Sequence, residues 1–240
     1  MHTTHFRNLF YLHWQKIAFF VVLTHLLQAQ NSQYRPKHME GYDNKPIHYG
    51  FLFALPVTRY NLTYSDQFNS ASDSTMLIKS PITNGFRMGF VLNMYLNDHW
   101  DLRTTPTVSL YERSVEYQFA NVTKKEIRES TWIEVPIMFK YKSERRMNSR
   151  MYMVAGVTFG IETNVRKRTL PGSGRLSTTN YDITIDYGIG FEQFLPYTKL
   201  SPEIRFSHGF LNSYRQPEYP VSLGIHRLTS HTIGLYLMFE

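Results

Sequence analysis

The sequence contains no cysteine, which excludes a disulfide framework, a thiolate zinc site, an iron–sulfur centre and a cysteine nucleophile. It also lacks any apolar run of the ~18–20 residues that a spanning helix needs, so a helical membrane protein is excluded. Its ten histidines show no metal-ligand spacing, and four of them lie before residue 30. Acids are scarcer than bases, 19 Asp and Glu against 26 Lys and Arg, and charged side chains make up 19% of the 240 residues. What is plentiful is aromatic: 17 Tyr, 17 Phe and 3 Trp in a chain of negative mean hydropathy. A chain this long supports a sizeable core, as one large domain or two small ones.

The N-terminus reads as an address. Met1 to Lys16 carries Arg7 and Lys16 without an acid, Ile17 to Leu27 is apolar, and Gln28-Ala29-Gln30 follows. A basic start, a short apolar stretch and a small closing residue describe a secretory signal peptide, residues 1–29, with cleavage expected after Ala29. Its removal takes away two cations and no acid, so the formal charge falls from +7 to +5. Export counts against nucleic acid as a partner, and no basic surface with interleaved aromatics argues for one. Residues 30–45 are polar and aperiodic and are expected to form a flexible periplasmic leader to a folded part spanning 46–240.

From His48 onward the pattern has period two, the mark of strands with unlike faces. Phe86, Met88, Phe90, Leu92, Met94 and Leu96 share one face, with Arg87, Gly89, Asn93 and Tyr95 among those on the other. Ile133, Val135, Ile137, Phe139 and Tyr141 alternate in the same way, as do Ile183, Ile185, Tyr187, Ile189 and Phe191. Weaker alternation covers 47–55, 100–111, 151–162, 199–210 and 228–239, which makes eight strands. Short connections (97–99, 143–149, 195–198) alternate with long ones (56–84, 112–130, 163–180, 211–227). That rhythm predicts an all-β fold: an eight-stranded antiparallel up-and-down transmembrane β-barrel with short periplasmic turns and long extracellular loops. A secreted β-sandwich or lipocalin-like barrel also alternates, but the polar faces here are rich in glycine (Gly156, Gly160, Gly188, Gly190), which suits a crowded lumen better than a solvated face. The ending Ile233, Leu235, Leu237, Phe239 resembles the aromatic C-terminal signal of outer-membrane barrels, so the location expected is the bacterial outer membrane.

The polar faces carry Arg87, Arg103, Glu134, Lys140, Asp182, Asp186, Glu192, Glu203 and Arg205, four bases and five acids. Charges held in a narrow lumen must pair or bear a large desolvation cost, so a structural salt-bridge network is expected there. An eight-stranded interior is just filled by side chains, which rules out a wide pore. No His has a Ser two residues on. Ser207-His208 and Ser230-His231 are neighbours on opposite faces, while Asp66, Asp73 and Glu112 are scattered. No enzyme, cofactor, metal or small-molecule substrate is therefore expected. The basic loop Arg166-Lys167-Arg168, with Arg175, suits outer-membrane lipid and lipopolysaccharide phosphates or an acidic partner, though a solvated loop explains it as well.

Three stretches resemble the PorT family (PorT/SprT) of accessory barrels in the type IX secretion and gliding system of Bacteroidetes. They are Tyr42-Asp43-Asn44-Lys45 leading to His48-Tyr49-Gly50-Phe51, Trp132 to Lys140 (WIEVPIMFK), and Leu200 to Gly209 (LSPEIRFSHG). The resemblance implies a membrane protein required for export of cargo with C-terminal sorting domains, including secreted cysteine proteases that act as virulence factors. It implies other secretion-system components as partners, and it brings no catalytic or ligand residues. The competing expectation is a stand-alone structural or adhesion barrel of the OmpA/OmpX type. A lipid-modifying enzyme using His208 or His231 stands further off.

Overall fold

The computed structural model describes residues 36–64, 77–118, 123–163, 178–213 and 225–240. The expected signal peptide lies outside these residues, as do Asp66, Asp73 and the basic run at 166–168 with Arg175. Within the unit formed by residues 38–240, the elements are β1 (Ile47–Tyr64), β2 (Leu77–Lys79), β3 (Thr83–Tyr95), β4 (Trp100–Thr104), β5 (Thr107–Gln118), β6 (Thr123–Lys142), β7 (Ser149–Glu162), β8 (Tyr181–Phe194), β9 (Lys199–Gly209) and β10 (Ile225–Phe239).

Every pairing is antiparallel, and the sheet closes on itself because β1 pairs with β10 on one edge and β3 on the other. Eight staves make the ring. β4 and β5 are one stave: both pair with β3 and β6, and the register carries across the gap from Thr104↔Ile137 to Thr107↔Glu134 without a shift. The gap is Thr105-Pro106, where proline has no N–H to give the ladder. Its carbonyl still accepts from Phe90 N at 3.1 Å, so the stave stays joined. β2 is a short strand added to the extracellular part of β5 through Ile78↔Tyr117.

The apolar face of each stave points outward. Phe90 (61% exposed), Leu55 (62%) and Ile161 (63%) typify a band that also includes Phe51, Phe139, Tyr187, Ile189 and Leu235. A ring of apolar side chains this extensive is insoluble in water and solvated in lipid. Aromatic rings mark the periplasmic edge, where Trp100 meets Tyr141 edge-on at 5.1 Å. The turns below are short; in one, Asn97 Oδ1 accepts from the N–H groups of His99 and Trp100 at 3.0 and 2.8 Å, a side-chain turn that needs no further residues.

Two loop boundaries move. The connection expected at 112–130 shrinks to 119–122, because β5 and β6 continue as a paired ribbon up to Gln118↔Thr123. β6 is 20 residues long, about twice the 9–11 residues of a spanning strand, so the ribbon stands above the membrane. The connection expected at 56–84 likewise starts later, since β1 runs through Pro56 to Tyr64 against β10. Both extensions have the same cause. Tyr60, Ile78, Val115, Tyr117 and Leu228 form a small buried core inside the upper walls, and that burial holds the strands together beyond the lipid.

Candidate functional site

The nine charged residues that alternate with the lipid-facing positions all project into the lumen, and all are buried. They fall into two groups. The lower group centres on Glu192, whose carboxylate is paired with Lys140 and Arg150, lies 3.0 Å from Lys199 and 3.8 Å from Arg103. Arg103 also reaches Glu203 at 3.1 Å and Glu240 at 3.7 Å, and Arg205 reaches Glu203 at 2.6 Å. Tyr152 lies under Arg103 and Lys140, its ring centre 5.0 and 4.7 Å from them. That ring has room only because Gly190 stands opposite on β8; a Cβ there would come within 2.2 Å of it.

The upper group joins Arg87 to Glu134 at 2.6 Å, with Ser109 donating to the same carboxylate at 2.6 Å. Arg87 also donates to the hydroxyls of Tyr111 and Tyr236. Asp186 accepts from Thr158 and Thr184, and Asp182 accepts from Ser230. Within the upper group lies a cavity of about 20 Å³ lined by Arg87, Arg113, Glu134, Asp182 and Asp186. That is room for about one water molecule, not for a solute.

Both mouths are stopped. The extracellular one holds the apolar core around Ile78 and Val115. The periplasmic one is closed by residues expected to form a flexible leader. Tyr42 enters the mouth and is 6% exposed. Its ring stacks on His48 at 3.9 Å and meets Phe194 edge-on at 5.4 Å. The Tyr42 hydroxyl donates to Glu240 Oε2 at 2.7 Å and accepts from Lys199 Nζ at 2.6 Å. Burial, and then the Glu240 carboxylate, push this phenol far above its ordinary range. Asp43 pairs with Arg150 at 2.8 Å, and Asn148 Oδ1 accepts from His38 N at 2.7 Å. The leader's last residues are held because the His38 backbone, Tyr42 and Asp43 each find a partner on the barrel floor.

Alternation left out several members of this network: Asp101, Arg113, Lys142, Arg150, Lys199 and Glu240. Asp101 takes Lys142 at 2.6 Å and Lys140 at 3.7 Å, and Arg113 stacks over Tyr111 at 4.5 Å and donates to Thr58 Oγ1 at 3.1 Å. Parity was the available signal, for Asp101 and Arg113 share a face with Arg103, and Lys142 with Lys140. Arg150, next to the short connection expected at 143–149, is the second residue of β7 and points inward. His208 and His231 face outward, whereas Ser207 and Ser230 face the lumen, so neither serine reaches a histidine from its own strand. Among the described residues there is no cluster of three side chains suited to hold a metal ion.

Three solved structures illustrate the likeness to known barrels. OprG from Pseudomonas aeruginosa is 11% identical, with 79% of this chain and 93% of that one covered and a TM-score of 0.47. Neisserial surface protein A (NspA) is 8% identical over 81% of this chain and 98% of its own, with a TM-score of 0.41. Ail, the attachment invasion locus protein of Yersinia pestis, is 8% identical over 81% and 98%, with a TM-score of 0.35. No curated protein matches the sequence. The family described as outer membrane protein beta-barrel domain matches residues 28–215, most of the chain, and the protein belongs to that family as an integral protein of the outer membrane.

Proposed function

We propose that this barrel is a non-enzymatic, non-conducting accessory or assembly component of type IX secretion, acting through its rims on other secretion-system components. The observation that carries the reading is the filled lumen: charged tiers and two stopped mouths leave a cavity of about 20 Å³ where a conduit would need a path. Cargo must therefore cross elsewhere, and the contribution of this chain lies in its surfaces. The stretches Tyr42 to Phe51, Trp132 to Lys140 and Leu200 to Gly209, which resemble the PorT family, support the assignment to that pathway. Deleting the gene is expected to trap cargo with C-terminal sorting domains, secreted cysteine proteases among them, as immature forms in the periplasm. Normal surface delivery and maturation in the deletion strain would end the proposal.

The β5–β6 ribbon favours a second reading, a stand-alone structural or adhesion barrel, because it raises a wall above the membrane to whose upper part, among the described residues, only β2 is paired. Purification from native outer membrane in gentle detergent separates the two. A secretion component brings other secretion proteins with it, and a lone barrel brings none.

A further inference from the structure

The outward face of β1, β10 and β9 changes character within one row of side chains. Val57, Ile233 and Phe206 stand opposite one another across the three strands, and Tyr187 of β8 continues that row. The next outward row, about 6.6 Å further along the strands, is Arg59, His231 and His208. It lies on the side of the long connections, so it meets the outer leaflet where acyl chains give way to headgroups.

This row is built, not merely basic. The Tyr187 hydroxyl lies 2.9 Å from His208 Nε2, and His208 Nδ1 lies 2.7 Å from His231 Nδ1. The rings form a continuous stack: Phe206 on Tyr187 at 5.5 Å, Tyr187 on His208 at 5.5 Å, His208 edge-on to His231 at 4.7 Å. When Tyr187 donates to His208 and His208 to His231, both imidazoles are neutral and His231 Nε2–H becomes a donor at the surface beside Arg59. No ion pair joins Arg59, His208 or His231 to a carboxylate among the described residues. A donor and a guanidinium, side by side at headgroup height, are a match for a phosphate oxygen.

An apolar groove of about 510 Å³ begins directly below. Tyr187 and Phe206 form its upper wall, Phe139, Met153 and Ile189 flank it, and its floor is Ala155, the one small side chain in that field. Tyr187 thus belongs to both the polar row and the groove. We propose that this face binds a phosphorylated glycolipid of the outer leaflet, lipid A in chemistry, with a phosphate on Arg59 and His231 and an acyl chain along Ala155. The outer leaflet is the source to which the height of the row commits the site.

The test uses the mature protein folded in detergent, exchanged into nanodiscs and given bis-phosphorylated lipid A, dephosphorylated lipid A or phosphatidylglycerol, with bound lipid counted by native mass spectrometry. The wild-type protein is expected to retain bis-phosphorylated lipid A in preference to the other two. Arg59→Gln, a surface change that leaves the fold alone, is expected to lower that retention about tenfold, the loss of one charge-assisted contact. His208→Gln with His231→Gln is expected to add to it, and Ala155→Trp to displace the acyl chain with the polar row intact. Heat-modifiable gel migration establishes that each variant is folded. Equal retention by wild type and Arg59→Gln overturns the site, equal retention of dephosphorylated lipid A overturns the phosphate contact, and equal retention of phosphatidylglycerol overturns the glycolipid as its occupant.

Discussion

At the scale of single residues, Glu192 is the most consequential side chain in the barrel. One carboxylate, fully buried, answers Lys140, Arg150, Lys199 and Arg103. These cations are buried, so their desolvation is offset by this anion and its neighbours Glu203, Glu240 and Asp101, with Asp43 also on Arg150. Glu192→Gln is expected to destabilise the folded barrel by about 3–5 kcal/mol, because it leaves buried cations uncompensated. The double variant Glu192→Met, Lys140→Met removes a charge of each sign and keeps the volume, so it is expected to recover much of the loss. Urea-dependent unfolding in detergent, followed by gel migration, reads both; a double variant no more stable than the single one would refute the electrostatic account. Gly190 poses a steric question in the same place. Gly190→Ala is expected to push the Tyr152 ring off its seat beneath Arg103 and Lys140 and to lower the unfolding midpoint. Adding Tyr152→Leu, which shortens the side chain that the new methyl meets, should restore part of it.

At the scale of elements, the floor of the barrel is a strap rather than a strand. Residues 38–45 hold on at two places: Tyr42 bonds to Glu240 and Lys199, and Asp43 and the backbone of His38 bond to Arg150 and Asn148 at the start of β7. Tyr42→Phe keeps the stack on His48 and loses both hydroxyl bonds, at an expected cost of about 1–2 kcal/mol, moderated because Lys199 and Glu240 still pair at 2.9 Å. The strap also carries a pH signature. The folded state keeps the Tyr42 proton well above the ordinary phenol value of 10.0, whereas the unfolded chain releases it there. The folded state then binds more protons than the unfolded one, so stability falls as pH rises beyond that value. Tyr42→Phe removes this contribution, and the gap between wild type and variant is expected to narrow above pH 10; a gap that stays constant would contradict it.

The strap was also where sequence reasoning stopped short. Period-two alternation located all eight staves, and parity alone placed Arg87, Glu134, Lys140 and Glu203 on the inner face. It works because each stave has lipid on one side and a crowded lumen on the other, so every second residue is apolar. Residues 38–45 have no period, for they cross the mouth instead of running along the wall, and nothing local marks Tyr42 as a buried ring. The upper ribbon escaped for a related reason. Above the lipid the outer positions of β5 and β6 turn polar (Glu112, Glu129, Lys125), the alternation fades, and Val115 and Tyr117 read as loop. The joining of Tyr187, His208 and His231 was invisible because it depends on register between β8, β9 and β10, which no single strand records.

At the scale of the whole molecule, the question is whether anything passes through. Four obstacles lie in series along the axis: the Tyr42 strap, the Glu192 tier, the Arg87–Glu134 tier and the apolar core around Ile78. They are held by different forces, although the strap takes its partners Lys199, Glu240 and Arg150 from the tier next to it. Ion pairs seal the middle, stacked rings and hydrogen bonds the floor, and apolar burial the top. An ion entering from below meets six buried bases (Arg103, Lys140, Lys142, Arg150, Lys199, Arg205) whose counter-charges are already engaged. Displacing one exposes a bare charge in a low-dielectric interior. In planar lipid bilayers the protein is therefore expected to produce no stable conductance steps. Tyr42→Ala removes only the floor, and deletion of residues 77–79 removes only part of the roof, so each alone is expected to remain silent as well. Stable steps in the wild type would mean that these tiers move apart in a membrane, and the barrel would then have to be reconsidered as a conduit. Silence in all three leaves only the outer surfaces and rims as places where this protein can act.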